Sequence, residues 1–249
     1  AVLERISNVP QATIAKIEGF ARGGGHEMAL ALDMRFAARG KAKFMQMEVG
    51  MGILPCGGGA SRMARQVGLG KALEIILGAK DWDADQAEAW GTVNKALDPD
   101  EIGPYVDALA NRIAQFPAES IEACKRAVYA SIDLPIADAL KEEAYQLYQA
   151  TSKTPAIKRF TVADEKGLQF ELENQRNWEN MVMPSSSVAY FSSEAEIRTP
   201  LNVITLPLVV SVMVVSSVEI SQLPVSEVPS CFTKVKFLLP LVSSNVRRY

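Results

Sequence analysis

Apolar positions along this chain follow three regimes in turn. In the first, residues 14–17 (IAKI) form a short apolar run closed by Gly19, the pattern of a buried strand. Three glycines follow, Gly23, Gly24 and Gly25, and a helix opens at His26 and Glu27. Residues 34–38 (MRFAA) alternate as a half-buried strand does, Gly40 turns the chain, and residues 42–46 supply another short strand ending near Glu48. A loop rich in turn residues, GMGILPCGGG, then feeds a helix over residues 60–67. Gly68 and Gly70 break it, and residues 71–77 form the next. Asp83 and Gln86 have capping-box spacing, which predicts a helix stopping at Gly91 before a short strand over 92–97.

From Pro104 the period becomes helical. Tyr105, Leu109, Ile113 and Phe116 make one stripe, Pro117 ends it, and residues 120–130 form another helix. Asp133 and Pro135 start a third, whose stripe is Ile136, Leu140, Ala144 and Leu147. Glu-rich residues 164–180 predict one more. These stripes face no obvious sheet of the same chain, so they are expected to stay exposed unless another subunit covers them. The third regime begins at Ser185: serine and valine dominate, charge is low, and Pro200, Pro207, Pro224, Pro229 and Pro240 interrupt every apolar run. Residues 206–215 are apolar but short of the roughly 20 needed to span a bilayer. The expected architecture is α/β over residues 1–103, a helical region over 104–183, and a disordered or adventitious tail over 184–249.

Composition narrows the function classes. With 249 residues, 48% hydrophobic and 22% charged, the chain suits a globular protein with a real core, and its net charge of −3 gives no case for nucleic acid or an anionic membrane. Cys56, Cys124 and Cys231 are too scattered for a disulfide framework or a zinc site, which favours a reducing compartment without saying which. HEMAL lacks the second histidine of HExxH, GGGHEM is not GxGxxG, no GxxxxGK[ST] occurs, and GASRM falls one glycine short of the GxSxG elbow. No secretory signal or N-x-[ST] sequon is seen. The first residue, Ala1, is not an initiator methionine, so upstream sequence is expected.

The chemistry concentrates at the glycine turns. Bare backbone lets N–H groups approach a ligand closely, and the first N–H groups of a helix lie unpaired at the positive end of its dipole. Such a turn either packs a helix tightly on a sheet or binds an oxygen that becomes anionic during a reaction. Glu27 beside the first turn and Glu48 before the second add carboxylates that can move protons. Glu27 as a plain first-turn acid on the helix dipole and Glu48 as a solvated loop acid remain the alternatives. His26 is read as a side-chain-tolerant position facing away from the site.

Three segments carry a resemblance: IAKIEGFARGGGHEMALALDMRFAA, FMQMEVGMGILPCGGGASRMARQVG and ALEIILGAKDWDADQAEAWGTVNKAL. In order and context they resemble the crotonase superfamily, and most closely its enoyl-CoA hydratases. The resemblance implies a spiral of β-β-α units followed by helices that pack in homotrimers or homohexamers, and an acyl-CoA substrate whose CoA is part of the substrate, with no separate cofactor and no metal. It implies Glu27 and Glu48 as the catalytic pair, Gly24 as an oxyanion-hole donor, and Gly23, Gly25, Cys56 and Gly57 as substrate-lining positions. It places the second oxyanion donor in first spiral turns that have no counterpart in this chain, so the chain as given is expected to hydrate 2-enoyl-CoA poorly. Glu27 favours hydratase over isomerase. Other crotonase reactions (isomerase, thioester hydrolase, biosynthetic lyase) and a non-catalytic fragment are the alternatives. Cys56 stands where the family usually has glycine and is expected to narrow the acyl pocket.

Overall fold

The computed structural model describes residues 2–165, 167, 176, 202–206 and 210–215. Its centre is β1 (Ala12–Ile17), buried on both faces. Alternation along β1 sends Ala12 and Ile14 into one core and Ala15 and Ile17 into the other, as a strand of period two between two covered faces must. β2 (Phe20–Arg22) leads to α2 (Gly24–Leu30), β3 (Met34–Ala38) and β4 (Lys43–Met45), then to α3 (Gly59–Val67) and α4 (Leu69–Gly78). β5 (Trp82–Asp83), α5 (Ala84–Trp90) and β6 (Lys95–Leu97) complete this part. β1, β3 and β6 pair in parallel in one sheet, while β2 and β4 pair in parallel, and β4 with β5 antiparallel, in a second. Each turn of chain thus contributes one strand to each sheet, which makes the path a spiral.

The predicted punctuation is where the residues require it. Asp83 accepts from the Gln86 amide (3.0 Å), Gln86 returns the bond through the Asp83 N–H, and Gly91 ends α5 at φ 81°. Ahead of β1 the chain opens on a short helix, α1 (Val2–Ser7). β2 and β5, of three and two residues, escape sequence reading because they are too short to show a period.

α6 (Ile102–Ala114) corrects a second expectation. It packs on the face of β1 and β3 through Ile102, Val106 and Ala110, one position off the predicted stripe, with Leu109 and Ile113 beside them. Tyr105 stays 40% exposed, between the Phe36 ring 5.3 Å away and the Lys95 ammonium 4.8 Å over its face. α7 (Ala118–Asp133) and α8 (Ile136–Thr151) form a hairpin across Pro135. Their apolar side chains Val128, Ile132, Ile136, Leu140, Leu147 and Tyr148 are exposed, as the stripes predict. α9 (Thr154–Glu165) precedes the helix expected over 164–180, most of which lies outside the described residues.

The expected unstructured tail is corrected in two places. β7 (Asn202–Leu206) and β8 (Val210–Val215) are strands; β8 pairs antiparallel with all six residues of β1, and β7 with β8. The physical reason is the open edge of β1. A buried strand needs partners for its N–H and C=O groups, and the β-branched run at 209–215 suits that ladder. The rest of 184–249 lies outside the described residues. Among the described residues no helix is long and apolar enough to cross a membrane.

Candidate active site

α2 is built to hold its first turn still. Gly23, at φ 51°, donates its N–H to Met45 O (2.8 Å) and accepts from Glu27 N–H (3.0 Å). A Cβ on Gly23 would lie 2.9 Å from Glu48 Oε1, so both the backbone angle and the space require glycine. No side chain caps α2, which leaves the amides that follow Gly23, Gly24 first, without intrahelical acceptors. Gly25 has open space where a Cβ would stand. At the far end the buried Arg35 guanidinium donates to Ala29 O (3.2 Å), Leu32 O (2.6 Å) and Thr92 O (2.9 Å), a cation at the negative end of the helix. Burial lowers the Arg35 pKa to about 10, which leaves it charged at neutral pH.

Glu27 is buried, 6% exposed, one turn into this helix. Its Oε1 accepts from the Gly57 amide (2.7 Å) and the Gly59 amide (2.9 Å), so the second glycine turn closes on the first. A Cβ on Gly57 would stand 2.6 Å from Glu27 Oε2 and 3.0 Å from a Leu3 methyl. Glu48 opens a short 3-10 turn (Glu48–Met51). Its Oε1 lies against Gly23, and its Oε2 is buried without a hydrogen-bond partner among the described residues. A buried carboxylate oxygen left unmatched is costly, so the arrangement suits a donor arriving from outside, such as water or substrate.

The structure therefore brings Glu48 to the cap of the helix that carries Glu27, and Gly57 to the Glu27 carboxylate. It does not bring in Cys56. That residue, expected to narrow an acyl pocket, is exposed at the surface of the loop. Surface hollows along Lys95, Leu97 and Tyr105, and between α7 and α8, also lie apart from both carboxylates.

His26 is not the side-chain-tolerant position its sequence suggests, though it serves the core rather than the site. It is fully buried, edge-on to Phe44 (5.7 Å) and Trp82 (5.1 Å), with the Gln46 amide donating to its Nδ1 (3.0 Å). Burial, with the Arg35 charge second, pushes its pKa down to about 3, so the ring is neutral and serves the core. Gln46 was missed altogether. Its one signal is position: it lies just beyond β4 on the approach to Glu48, between the sheet and the site.

Two acids stand at glycine turns of an α/β spiral, Glu27 with one oxygen bound by two amides and Glu48 with a buried oxygen that has no partner among the described residues; carboxylates so placed can exchange protons with a molecule between them. The chain belongs to the enoyl-CoA hydratase/isomerase family, whose profile matches residues 1–181. It is 36% identical over 146 residues to a short-chain-enoyl-CoA hydratase of Clostridium acetobutylicum, covering 58% of this chain and 56% of that protein. To a crotonyl-CoA hydratase of Syntrophomonas wolfei it is 38% identical over 143 residues, covering 57% of this chain and 55% of that one. The crystal structure of an enoyl-CoA hydratase from Bacillus anthracis superposes with a TM-score of 0.63 at 27% identity, over 66% of this chain and 63% of the other. The fold is accordingly the crotonase-like spiral followed by a helical C-terminal region. The chain spans somewhat over half the length of these curated relatives.

Proposed function

We propose that this chain carries the proton-transfer site of an enoyl-CoA hydratase, adding water across the 2,3 double bond of a 2-enoyl-CoA thioester. The observation that carries the reading is the carboxylate oxygen left over at each of the two glycine turns. Glu27 Oε1 is taken by the Gly57 and Gly59 amides, which leaves Oε2 for water, while Glu48 keeps a buried Oε2 with no partner among the described residues. One water held between these oxygens gives its O–H bond electrons to form C3–OH. One proton passes to a carboxylate, and the C2=C3 pair moves onto the thioester as an enolate. The other carboxylate delivers a proton to C2, so water is consumed whole and no oxidant is required. Two acids on one water act as a coupled pair, one proton shared between them. The Gly24 N–H, at the unpaired start of α2, faces the developing enolate oxygen in this reading; such donors contribute about 3–4 kcal/mol each.

CoA enters only as part of the substrate. The exposed apolar faces of α7 and α8 support assembly as a homotrimer or homohexamer. The test is loss of enoyl-thioester absorbance with crotonyl-CoA. Slow conversion by the chain as given, faster conversion once it is extended upstream by the family's first spiral turns, and loss of that conversion in Glu27→Gln and in Glu48→Gln are the expected results. Conversion of a 3-enoyl-CoA to the 2-enoyl form without hydration would assign the site to isomerisation instead.

A further inference from the structure

Arg62 lies one turn into α3, its N–H bonded to Gly58 O (2.8 Å), and its guanidinium reaches two separate pieces of the fold, the loop before α3 and α1. Nη1 donates to Gly57 O (3.1 Å). Nη2 donates to Glu4 Oε2 (3.1 Å) and to Ser7 Oγ (3.0 Å), both on α1. The buried Ser7 hydroxyl in turn donates to Ala31 O (3.0 Å), at the C-terminal cap of α2. Gly58, at φ 109°, carries no Cβ where Nη1 crosses the loop; one there would overlap that nitrogen.

The residue it grips matters most. Gly57 gives its C=O to Arg62 and its N–H to Glu27 Oε1, so one glycine stands between the guanidinium and the carboxylate. A surface pair with Glu4, itself 64% exposed, would be worth little alone. The planar fork, however, serves two directions at once, toward the loop and toward α1, which an ammonium cannot reproduce from one position. We propose that Arg62 is a positioning residue for Glu27: by fixing the Gly57 carbonyl against α1 it aims the Gly57 and Gly59 amides at one oxygen of that carboxylate. What Glu27 then does rests on the hydratase reading; the clamp itself is a matter of backbone geometry.

The experiment measures residue-resolved amide exchange at Gly57 and Gly59 in the full chain, in wild type, Arg62→Lys and Arg62→Met. Arg62→Met is expected to speed exchange at these two amides by about tenfold or more, and Arg62→Lys by less, with Ile14 and Phe36 amides unchanged. In turnover, kcat should fall about tenfold while KM holds, since a misaimed acid costs rate rather than substrate contacts. Unchanged exchange at Gly57 and Gly59, or a rise shared equally by β1 and β3, overturns the proposal. Should Arg62→Met not fold, the double variant Glu4→Gln/Ser7→Ala decides, because it removes the α1 side of the clamp and leaves the Arg62–Gly57 bond, with Ala31 exchange followed as the control for the lost Ser7–Ala31 bond. A smaller rise confined to the two glycine amides supports the proposal, and no rise overturns it. A wild type that shows the exchange pattern but, even when extended upstream by the family's first spiral turns, never hydrates crotonyl-CoA leaves the clamp standing and removes the hydratase reading.

Discussion

At Glu27 and Glu48 the useful atoms are the oxygens the protein leaves alone. Glu27→Gln and Glu48→Gln are each expected to cut turnover by about 10²–10⁴, the usual range for general acid–base groups, with less than additive loss in the double variant because both act on one water. Full turnover in Glu27→Gln would remove that residue from the mechanism. Gly59→Ala puts a methyl 2.8 Å from Gln46 Nε2 and 2.9 Å from Glu27 Oε1, so thermal melting should show a loss of about 1–3 kcal/mol along with activity. His26 sets a pH dependence. Its folded pKa of about 3 lies below the ordinary 6.5, so the unfolded chain binds the extra proton. The stability from burying the neutral ring is complete above pH 6.5 and falls as pH drops toward 3. Denaturant titrations at several pH values should show that slope in the wild type and a shallower one in His26→Phe. The glycines and both acids were legible because their chemistry is local. The bonds from Gly57 and Gly59 to Glu27, some thirty positions back, were not, since nothing in either segment names the other.

Helix boundaries followed from caps and breakers, but helix faces did not follow from apolar residues alone. α6 carries enough of them that two neighbouring stripes read equally well. Small Ala110 lies in the buried one, while Tyr105, large and polar-tipped, lies at its rim. α7 is tied down by polar groups instead: Lys125 pairs with Asp33 (2.9 Å) and bonds Gln11 O (3.0 Å), and the Tyr129 hydroxyl donates to Asp33 (2.9 Å). Tyr129→Phe is therefore expected to cost about 1.5–3 kcal/mol in a melt, the ordinary worth of a bond to a charged group. β8 allows a sharper test. As an interior strand between β1 and β7, it has no spare N–H, so Val212→Pro removes a ladder bond on one side or the other. Amide exchange at Ile14, Ala15 and Lys16 should accelerate in that variant; unchanged protection would show that β1 does not depend on β8.

For the molecule as a whole, the strand–turn–helix units were legible because the glycine punctuation repeats, their winding into a spiral came from the family resemblance, and the closing of the sheet was not legible. β1 and β8 are local neighbours in space and remote in sequence, and strand pairing at that range leaves no periodic trace. The bare helical faces have a measurable counterpart: sedimentation at micromolar concentration should show association, and the melting temperature should rise with protein concentration. A concentration-independent monomer would count against assembly through α7 and α8. The pairing of β1 with β8 also has a consequence in time. A ribosome adding about 5–20 residues per second delivers β8 on the order of ten seconds or more after β1. Throughout that interval β1 has its parallel neighbour β3 and an open opposite edge. Until β8 is made, the edge of β1 that it takes up can pair with other strands, and β8 must arrive in competition with them.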